Sequence, residues 1–429
     1  MATSPDSVTP ASAAYQLVRN LESAASGTRS ACIINDAFPS TASDIALDCE
    51  LLVLGSTDGV VTIWRLREDG SVDMVNGFVA HEGTIMDIVG SMHLVPDVDS
   101  DAFPCPGMEC TALEASMTFY TCGRDHNIHR FSVSGDKIMT FKGHEDVVCS
   151  IHEFNSGNNL VSGSWDGSAI IWNCLTGAIQ HRLRDSCYKY SVYCNSLPDG
   201  TVVTGMTNGD VCFWREGHLD KAVRGHDGVV RAVSVKDGTI LSCANDCSVH
   251  IYSDALDLIL PLPHAHENFI YDIRHSKNYS VFFTSSEDKS VKVWDLMTGQ
   301  ILQSLALETS VWKVIETRHH GIVVIPLNGN VTIWQLIPGT TPVTITSRSE
   351  DFGKPCDVET NKRSRAEGSF EMTRFQKANG AKAVERLMAF NESKSSDVVI
   401  SEKDIALITS IFSAGKISYG LVYKKIMIQ

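Results

Sequence analysis

The sequence contains no uninterrupted apolar run of about 18 residues, the length that a membrane-spanning helix requires. Its first residues, MATSPDSVTPAS, also lack the basic segment and apolar block of a secretory signal, so we expect residues 1–14 to form a disordered arm. No two cysteines have the C-x-x-C spacing, and their number, 13, is odd. These absences predict no membrane span, and they indicate buried free thiols in a reducing compartment such as the cytoplasm.

A metal centre is also missing from the pattern. Cys105 and Cys110 lie near His93 in the sequence, but their spacing is not that of a zinc site. Ordinary free thiols explain them better. We therefore predict no metal and no cofactor.

The charge is acidic and unevenly distributed. The formal net charge is −15; residues 341–429 carry 14 Lys/Arg against 11 Asp/Glu, a balance of +3, which leaves −18 for residues 1–340. A surface of that sign repels a phosphate backbone, so nucleic acid is not an expected partner. Proteins or peptides fit better.

Seven related units of about 40 residues run through the chain. An aromatic residue that ends a strand-like run recurs at Trp64, Phe131, Trp172, Trp214, Tyr252, Trp294 and Trp334. A polar turn precedes each aromatic by several residues, and His81, His144, His226 and His266 follow Gly or Ala about 20 residues earlier. This period is the WD-repeat signature, with four strands per propeller blade. It predicts an all-β, seven-bladed WD-repeat β-propeller over residues 15–340.

The turn acids have a structural explanation in such a blade. A histidine, a second-strand hydroxyl, the turn Asp and the closing Trp form a hydrogen-bonded chain, in which the ionised carboxylate accepts several N–H groups. The predicted sets are His144, Ser162, Asp166 and Trp172; His226, Ser242 and Asp246; and His266, Thr284, Asp288 and Trp294. A hydrolase triad would use the same residue types, but a triad is normally unique and the G-x-S-x-G elbow is missing. We predict no enzyme activity and no catalytic residue.

Two segments lie outside the regular repeat, one at the N-terminus and one in the second unit. An open ring leaves exposed strand edges, so we expect residues 15–18 to form the outer strand of the last blade. The long first gap contains an insertion over 93–117, rich in Pro and acids, between the first and second strands of its unit. This insertion is either a solvated loop or a partner-docking loop.

Several phrases resemble one family of WD-repeat proteins. TCGRDHNIHRF, FKGHEDVVCSI, LVSGSWDGSAIIW, LSCANDCSVHIY, NFIYDI and TSSEDKSVKVW are similar, in this order, to the propeller of phospholipase-A2-activating protein. The resemblance implies a ubiquitin-binding adaptor that works with the valosin-containing AAA ATPase. It covers about 15–340.

A second stretch, 370–413, resembles the beginning of that family's helical PUL domain, which binds the ATPase in the family. Residues 341–369 form a linker too short for the family's second ubiquitin-binding domain, PFU, and 414–429 match nothing in the family. The sequence therefore predicts a shortened form of the family pattern, with a short α-helical C-terminal segment. Residues 362–365, KRSR, are either charged linker or a nuclear address.

The entrance to the propeller axis is the predicted binding face. The residue just inside each first strand and the residue before each turn acid are expected to point towards it. These are Met86, Cys149, Tyr193, Arg231, Tyr271 and Trp312, and Arg124, Trp165, Asn245 and Glu287. Large aromatic, Met and Arg side chains are typical of binding hot spots. Tyr271 and Trp312 have the alternative of packing between blades.

Two functions follow. The first is a non-enzymatic adaptor whose flat apolar centre and charged rim bind ubiquitin or ubiquitinated proteins. The second is a general WD-repeat scaffold for protein complexes without ubiquitin specificity, because a fold does not dictate its partners.

Overall fold

The described part of the protein is a ring of seven four-stranded antiparallel sheets. The computed structural model describes residues 13–22, 27–34, 49–67, 70–93, 117–185, 191–318 and 321–338. All 28 elements in these ranges are β-strands. The prediction of a seven-bladed, all-β propeller is confirmed. The sequence predicts an arm over residues 1–14, but the first strand already begins at Ala13, because Ala13 and Ala14 pair with Pro338 and Ile337 in the last blade. Residues 1–12 of that arm, the predicted linker, the PUL-like segment and the unassigned tail lie outside the described residues.

The first three blades follow one another along the chain. Blade 1 consists of β2 (Thr28–Ile33), β3 (Cys49–Ser56), β4 (Val60–Arg67) and β5 (Val72–Val79). Blade 2 consists of β6 (Ile85–Gly90), β7 (Thr118–Gly123), β8 (Ile128–Ser132) and β9 (Lys137–Phe141). Blade 3 consists of β10 (Val148–Phe154), β11 (Asn159–Ser164), β12 (Ala169–Asn173) and β13 (Ile179–Leu183). Most of the predicted insertion, 94–116, lies outside the described residues, between β6 and β7.

Blades 4 to 6 repeat the same order. Blade 4 consists of β14 (Ser191–Ser196), β15 (Val202–Met206), β16 (Asp210–Arg215) and β17 (His218–Arg224). Blade 5 consists of β18 (Val230–Lys236), β19 (Thr239–Ala244), β20 (Val249–Ser253) and β21 (Leu258–Leu262). Blade 6 consists of β22 (Ile270–His275), β23 (Val281–Ser286), β24 (Ser290–Asp295) and β25 (Ile301–Ala306).

The last blade joins both ends of the ring. Blade 7 consists of β26 (Val311–Glu316), β27 (Gly321–Pro326), β28 (Asn330–Pro338) and the N-terminal strand β1 (Ala13–Glu22). β1 pairs antiparallel with β28, with Tyr15 opposite Leu336. The innermost strands contact one another in sequence order, and β26 contacts β2. The N-terminal segment thus supplies the outer strand at the closing point of the ring.

The second strand of each blade lies between neighbours on both faces. β7, β15, β23 and β27 are buried at every position. The outer strands are half solvated; β17 alternates exposed and half-buried residues along its length. Apolar clusters of buried side chains lie between successive sheets, so the core is distributed around the ring.

Blade 3 contains the complete hydrogen-bonded chain. His144 Nδ1 lies 2.7 Å from Asp166 Oδ2, and His144 Nε2 lies 2.7 Å from Ser162 Oγ. The Trp172 indole N–H donates to the same hydroxyl at 2.8 Å. Trp172 is fully buried. The chain ties the entrance of the blade to its second and third strands.

Blades 4, 5 and 6 contain this hydrogen-bonded chain in full or in part. Blade 6 repeats it in full through His266, Thr284, Asp288 and Trp294. Blade 5 joins His226 to Asp246 and Ser242, but Tyr252 occupies the place of the Trp. In blade 4 the indole of Trp214 bonds Thr204 without a histidine.

His275, the last residue of β22, provides a pH-dependent contact between blades 5 and 6. Its ring nitrogens lie 2.9 Å from Ser234 Oγ and 2.9 Å from Thr239 Oγ1. Burial, reinforced by the Lys236 ammonium and opposed by Asp237, lowers the pKa of His275 to about 4. The folded protein therefore holds this imidazole neutral at pH values where the unfolded chain protonates it.

The propeller should lose stability as the pH falls from about 6.5 towards 4, because the unfolded state then binds more protons. For His275 we expect a loss of about 1–2 kcal/mol between pH 7 and pH 5. Urea unfolding of the wild type and of His275→Gln at both pH values measures it. The acid-induced loss should be smaller in the variant by that amount; equal losses would contradict the assignment.

Candidate partner-binding face

A β-bulge opens the innermost strand of every blade. At each bulge one extra residue of the innermost strand has no partner in the second strand. The extra residues are Arg29, Met86, Cys149, Val192, Arg231, Tyr271 and Trp312. Six of the seven line one depression at the entrance to the axis.

The depression contains most of the predicted binding residues. It is lined by Arg29, Met86, Cys149, Trp165, Tyr193, Arg231, Tyr271, Trp312 and Lys313. Glu287 does not line it, but it accepts a hydrogen bond from the Tyr271 hydroxyl at 2.5 Å. Asn245 accepts one from Arg231 Nε at 2.8 Å. Arg124 is exposed and is not a lining residue.

Tyr193 reaches the depression from a different register position than the sequence suggests. The bulge residue of blade 4 is Val192, and Tyr193 is opposite Gly205 in the regular ladder. Its equivalents one residue after the other bulges include Asp87, Asp272 and Lys313. Tyr193 is therefore an axis-facing residue of the depression.

Cys149 forms part of the floor. Its side chain is 3% exposed and packs with Met86, Trp165 and Tyr193. Burial raises the pKa of its thiol well above the usual range. It therefore supports the larger side chains around it and offers a partner little surface.

The centre of the depression is an aromatic and guanidinium stack. The rings of Tyr271 and Trp312 lie 4.5 Å apart, both half-buried. Arg29 Cζ lies 4.4 Å from the centroid of Trp312, and Arg231 Cζ lies 6.0 Å from that of Tyr271. Each arginine thus covers an aromatic face in the geometry of a cation–π contact.

This arrangement differs from the predicted flat apolar centre, because it places two positive charges there. Among the described residues, neither Arg29 nor Arg231 has a carboxylate at salt-bridge distance. Burial is the main cause of a lowered pKa for Arg29, and the nearby Arg231 adds to it. The centre offers N–H donors beside apolar ring surface.

Two ion pairs lie at or beside the depression; the Lys313–Asp87 pair is buried, whereas the Arg274 side chain of the second pair is 40% exposed. Lys313 Nζ lies 2.5 Å from Asp87 Oδ1, which joins blade 7 to blade 2. Arg274 Nε lies 3.1 Å from Asp272 Oδ1 in blade 6. Removing the cation of either pair leaves a buried aspartate without its counter-charge. The pairs fix the innermost strands on which the depression is built.

Eight cysteines of the described residues are free thiols. Those that are buried are Cys122, Cys149, Cys174, Cys194, Cys212 and Cys243. No helix in the described ranges is long and apolar enough to cross a membrane.

Comparisons with known proteins agree with the repeat pattern. The family "WD domain, G-beta repeat" matches residues 135–173, 217–253 and 259–295. The chain is 23% identical over 329 residues to the ubiquitin homeostasis protein lub1 of Schizosaccharomyces pombe, covering 75% of this chain and 39% of lub1. It is 28% identical over 150 residues to protein DOA1 of Saccharomyces cerevisiae, covering 34% of this chain and 20% of DOA1. The chain thus spans well under half the length of both relatives.

A third relative belongs to another complex. Eukaryotic translation initiation factor 3 subunit I of Mycosarcoma maydis is 26% identical over 205 residues, covering 42% of this chain and 59% of that protein.

Among solved structures, the WD40 β-propeller domain of Doa1 superimposes with a TM-score of 0.58 at 22% identity, covering 75% of this chain and 97% of that domain. This likeness concerns the fold. The family match, the order of the strands in the seven sheets and the superposition on the Doa1 propeller agree. The chain carries WD40 repeats and folds as a seven-bladed β-propeller.

Proposed function

We propose that the protein is a non-enzymatic adaptor that binds ubiquitin or ubiquitinated proteins through the central depression. The observation that carries the proposal is the stack of Arg29, Trp312, Tyr271 and Arg231 at the axis entrance. Aromatic and Arg side chains held in a fixed arrangement provide contact area at a small cost in conformational entropy. The similarity to a ubiquitin homeostasis protein supports this choice of partner.

The chemistry of the depression suits a partner surface that is apolar at its centre and carries backbone carbonyls or carboxylates. Trp312 and Tyr271 supply the apolar contact, while the guanidinium groups of Arg29 and Arg231 supply N–H donors that are not engaged by a carboxylate of the described residues. The His–hydroxyl–Asp sets recur in several blades and their histidines are buried, which is the pattern of a repeated structural bond.

The valosin-containing AAA ATPase is proposed as a second partner on the family resemblance of residues 370–413. That segment lies outside the described residues. A contact with the ATPase would link the propeller to ubiquitin-dependent protein degradation or sorting, in the cytoplasm and, if residues 362–365 act as an address, in the nucleus.

A general WD-repeat scaffold is the second candidate. It is favoured by the similarity to a translation initiation factor subunit, which shows that repeats of this kind occur in proteins of different assemblies. This candidate predicts no measurable ubiquitin affinity.

The binding test uses the purified full chain and monoubiquitin in isothermal titration calorimetry. Trp312→Ala removes the ring that contacts both Tyr271 and Arg29, and we expect it to weaken binding by about thirtyfold, or about 2 kcal/mol. Adding Arg231→Ala should abolish measurable binding. Met297→Ala is the matched control, because Met297 is 80% exposed and does not line the depression.

The variants must unfold at the wild-type urea midpoint for the comparison to hold. Wild-type protein that fails to bind ubiquitin at millimolar concentration would favour the scaffold. Binding that survives both substitutions would reject the depression as the site.

A further inference from the structure

Blade 2 departs from the hydrogen-bonded chain of blades 3 and 6. Phe131 occupies the place of the closing Trp, so no indole N–H reaches the Thr121 hydroxyl. His129 lies two residues before it, opposite Thr121 in the ladder. The rings of His129 and His81 lie 4.6 Å apart with an interplanar angle of 33°. The blade therefore contains two imidazoles where blades 3 and 6 contain one.

Both imidazoles face the carboxylate of Asp125. His81 Nδ1 lies 2.8 Å from Asp125 Oδ1, and His129 Nε2 lies 3.8 Å from Asp125 Oδ2. Ligand atoms of the three residues all lie within 4.8 Å of one another. The set combines two neutral-imidazole donors and one carboxylate, which is a common ligand set for zinc.

On the side of each ring that faces away from Asp125, the histidine contacts a threonine hydroxyl, and these hydrogen bonds suit metal binding. His81 Nε2 lies 2.8 Å from Thr121 Oγ1, and His129 Nδ1 lies 3.0 Å from Thr140 Oγ1. Each hydroxyl can accept an N–H, which leaves the opposite ring nitrogen with a free lone pair. The Ser162 hydroxyl of blade 3 already accepts the Trp172 indole N–H, whereas Phe131 offers Thr121 no such donor, so both lone pairs of the Thr121 hydroxyl are open to the His81 N–H.

We propose that His81, Asp125 and His129 bind a divalent transition-metal ion, with Zn²⁺ as the best match. Two Zn–ligand bonds of about 2.0 Å at a tetrahedral angle place the ligand atoms about 3.3 Å apart. The ligand atoms lie within 4.8 Å of one another, so the widest separation has to close by at most about 1.5 Å when the ion binds. Three protein ligands leave a fourth position for water, and the Asp125 side chain, 14% exposed, provides access from solvent.

Blade 5 shows why a second histidine alone is insufficient. His250 stacks on His226 with centroids 4.2 Å apart, but its Nδ1 contacts the Tyr252 hydroxyl at 3.1 Å. Asp246 contacts His226 Nδ1 at 3.1 Å and accepts a hydrogen bond from Ser248 Oγ at 2.7 Å. Within the described ranges, blade 2 is the place where two histidines and a carboxylate meet.

The substitution that tests the site is His129→Lys. Blade 6 carries Lys292 at the equivalent position, opposite Thr284, where its ammonium donates to the Ala265 carbonyl at 2.7 Å. A lysine there is therefore compatible with the blade. His250→Lys is the matched control in blade 5, at the position opposite Ser242.

The full chain, freed of metal with a chelator, is titrated with Zn²⁺ by calorimetry and with Co²⁺ by visible absorption. We expect one site with a dissociation constant in the micromolar range, and a Co²⁺ spectrum without the thiolate charge-transfer band that cysteine ligands produce. His129→Lys should weaken binding at least a hundredfold, whereas His250→Lys should bind as the wild type does.

The proposal is overturned if the wild type binds neither ion at millimolar concentration, or if the bound Co²⁺ shows the thiolate band. It is also overturned if His129→Lys retains the site or if His250→Lys loses it. Wild-type urea midpoints for both variants, measured without metal, exclude misfolding as the reason for any loss.

Discussion

Deletion of residues 1–22 is expected to lower the free energy of unfolding by about 5 kcal/mol or more, a large part of the stability of an ordinary domain. The deleted strand, β1, provides the outer edge of blade 7 and pairs with β28 from Ala13 to Glu22. Tyr15 is 2% exposed and packs edge-to-face on Phe283 of blade 6 at 6.0 Å. Its loss opens a cavity between two blades and exposes the edge of β28.

A clamp from blade 6 holds the same strand. Gln303 Oε1 accepts from the Tyr15 backbone N–H at 2.8 Å, and Gln303 Nε2 donates to the Tyr15 carbonyl at 2.9 Å. Gln303→Ala should cost about 1–3 kcal/mol, because it leaves two backbone groups without partners. The clamp shows that blade 6 also depends on the N-terminal strand.

Urea unfolding measures both effects, with deletion of residues 1–12 as the control that keeps β1. A synthetic peptide of residues 13–22 should bind the truncated protein and restore part of its stability, since strand addition rebuilds the ladder. Truncated protein with the wild-type midpoint would show that β1 contributes little to closure.

The fold could be predicted from the sequence because the repeat is visible in it. Closing aromatics at nearly constant spacing define seven units, and each unit corresponds to one sheet. The predicted hydrogen-bonded chains follow from the same alignment, since Asp166 and Trp172 occupy repeated positions. Repetition makes these assignments independent of any single residue.

The sequence did not predict Arg29 as a residue of the depression, because the repeat spacing is irregular in the first blade. Arg29 is the bulge residue of blade 1, but β2 ends at Ile33 and β3 begins at Cys49, so the usual spacing does not locate it. The sequence places Tyr193 at the bulge position of blade 4, but the bulge residue is Val192, one position earlier. The sequence pattern does not reveal this difference, because a bulge changes the register of a strand without changing its residue pattern. The signal that finds Arg29 is the closure of the ring itself, which requires an innermost strand before β3.

The His81–Asp125–His129 cluster was also outside the reach of the sequence. Its first two members are 44 residues apart, and the same histidine and acid pattern in other blades indicates a structural bond. What distinguishes blade 2 is the direction of the His129 ring, which depends on Thr140 in the outer strand. Sequence spacing carries no information about that direction.

Substitution of Asp166 by alanine is expected to destabilise the protein by about 3–5 kcal/mol. The carboxylate accepts from His144 Nδ1 at 2.7 Å, from the Glu145 N–H at 3.0 Å and from both the N–H and the hydroxyl of Ser168. Alanine leaves the buried imidazole N–H without an acceptor. Asn208→Ala is the matched control: Asn208 follows the second strand of blade 4, is exposed, and accepts from the Asp210 N–H at 3.2 Å, so its loss should cost less than about 1 kcal/mol.

The pH dependence identifies the carboxylate as the cause. Burial would raise the pKa of Asp166, but the hydrogen bonds from His144 and Ser168 outweigh burial and hold the pKa well below its usual range. A lowered pKa contributes stability that is complete above the ordinary aspartate pKa and is lost as the pH falls towards the folded value. The difference between wild type and Asp166→Ala should therefore be full at pH 7 and smaller by about 1 kcal/mol at pH 3. Urea unfolding of both proteins at pH 7 and pH 3 measures this difference in the free energy of unfolding. An equal difference at the two pH values would mean that the loss comes from packing alone and that the charge of Asp166 does not stabilise the blade.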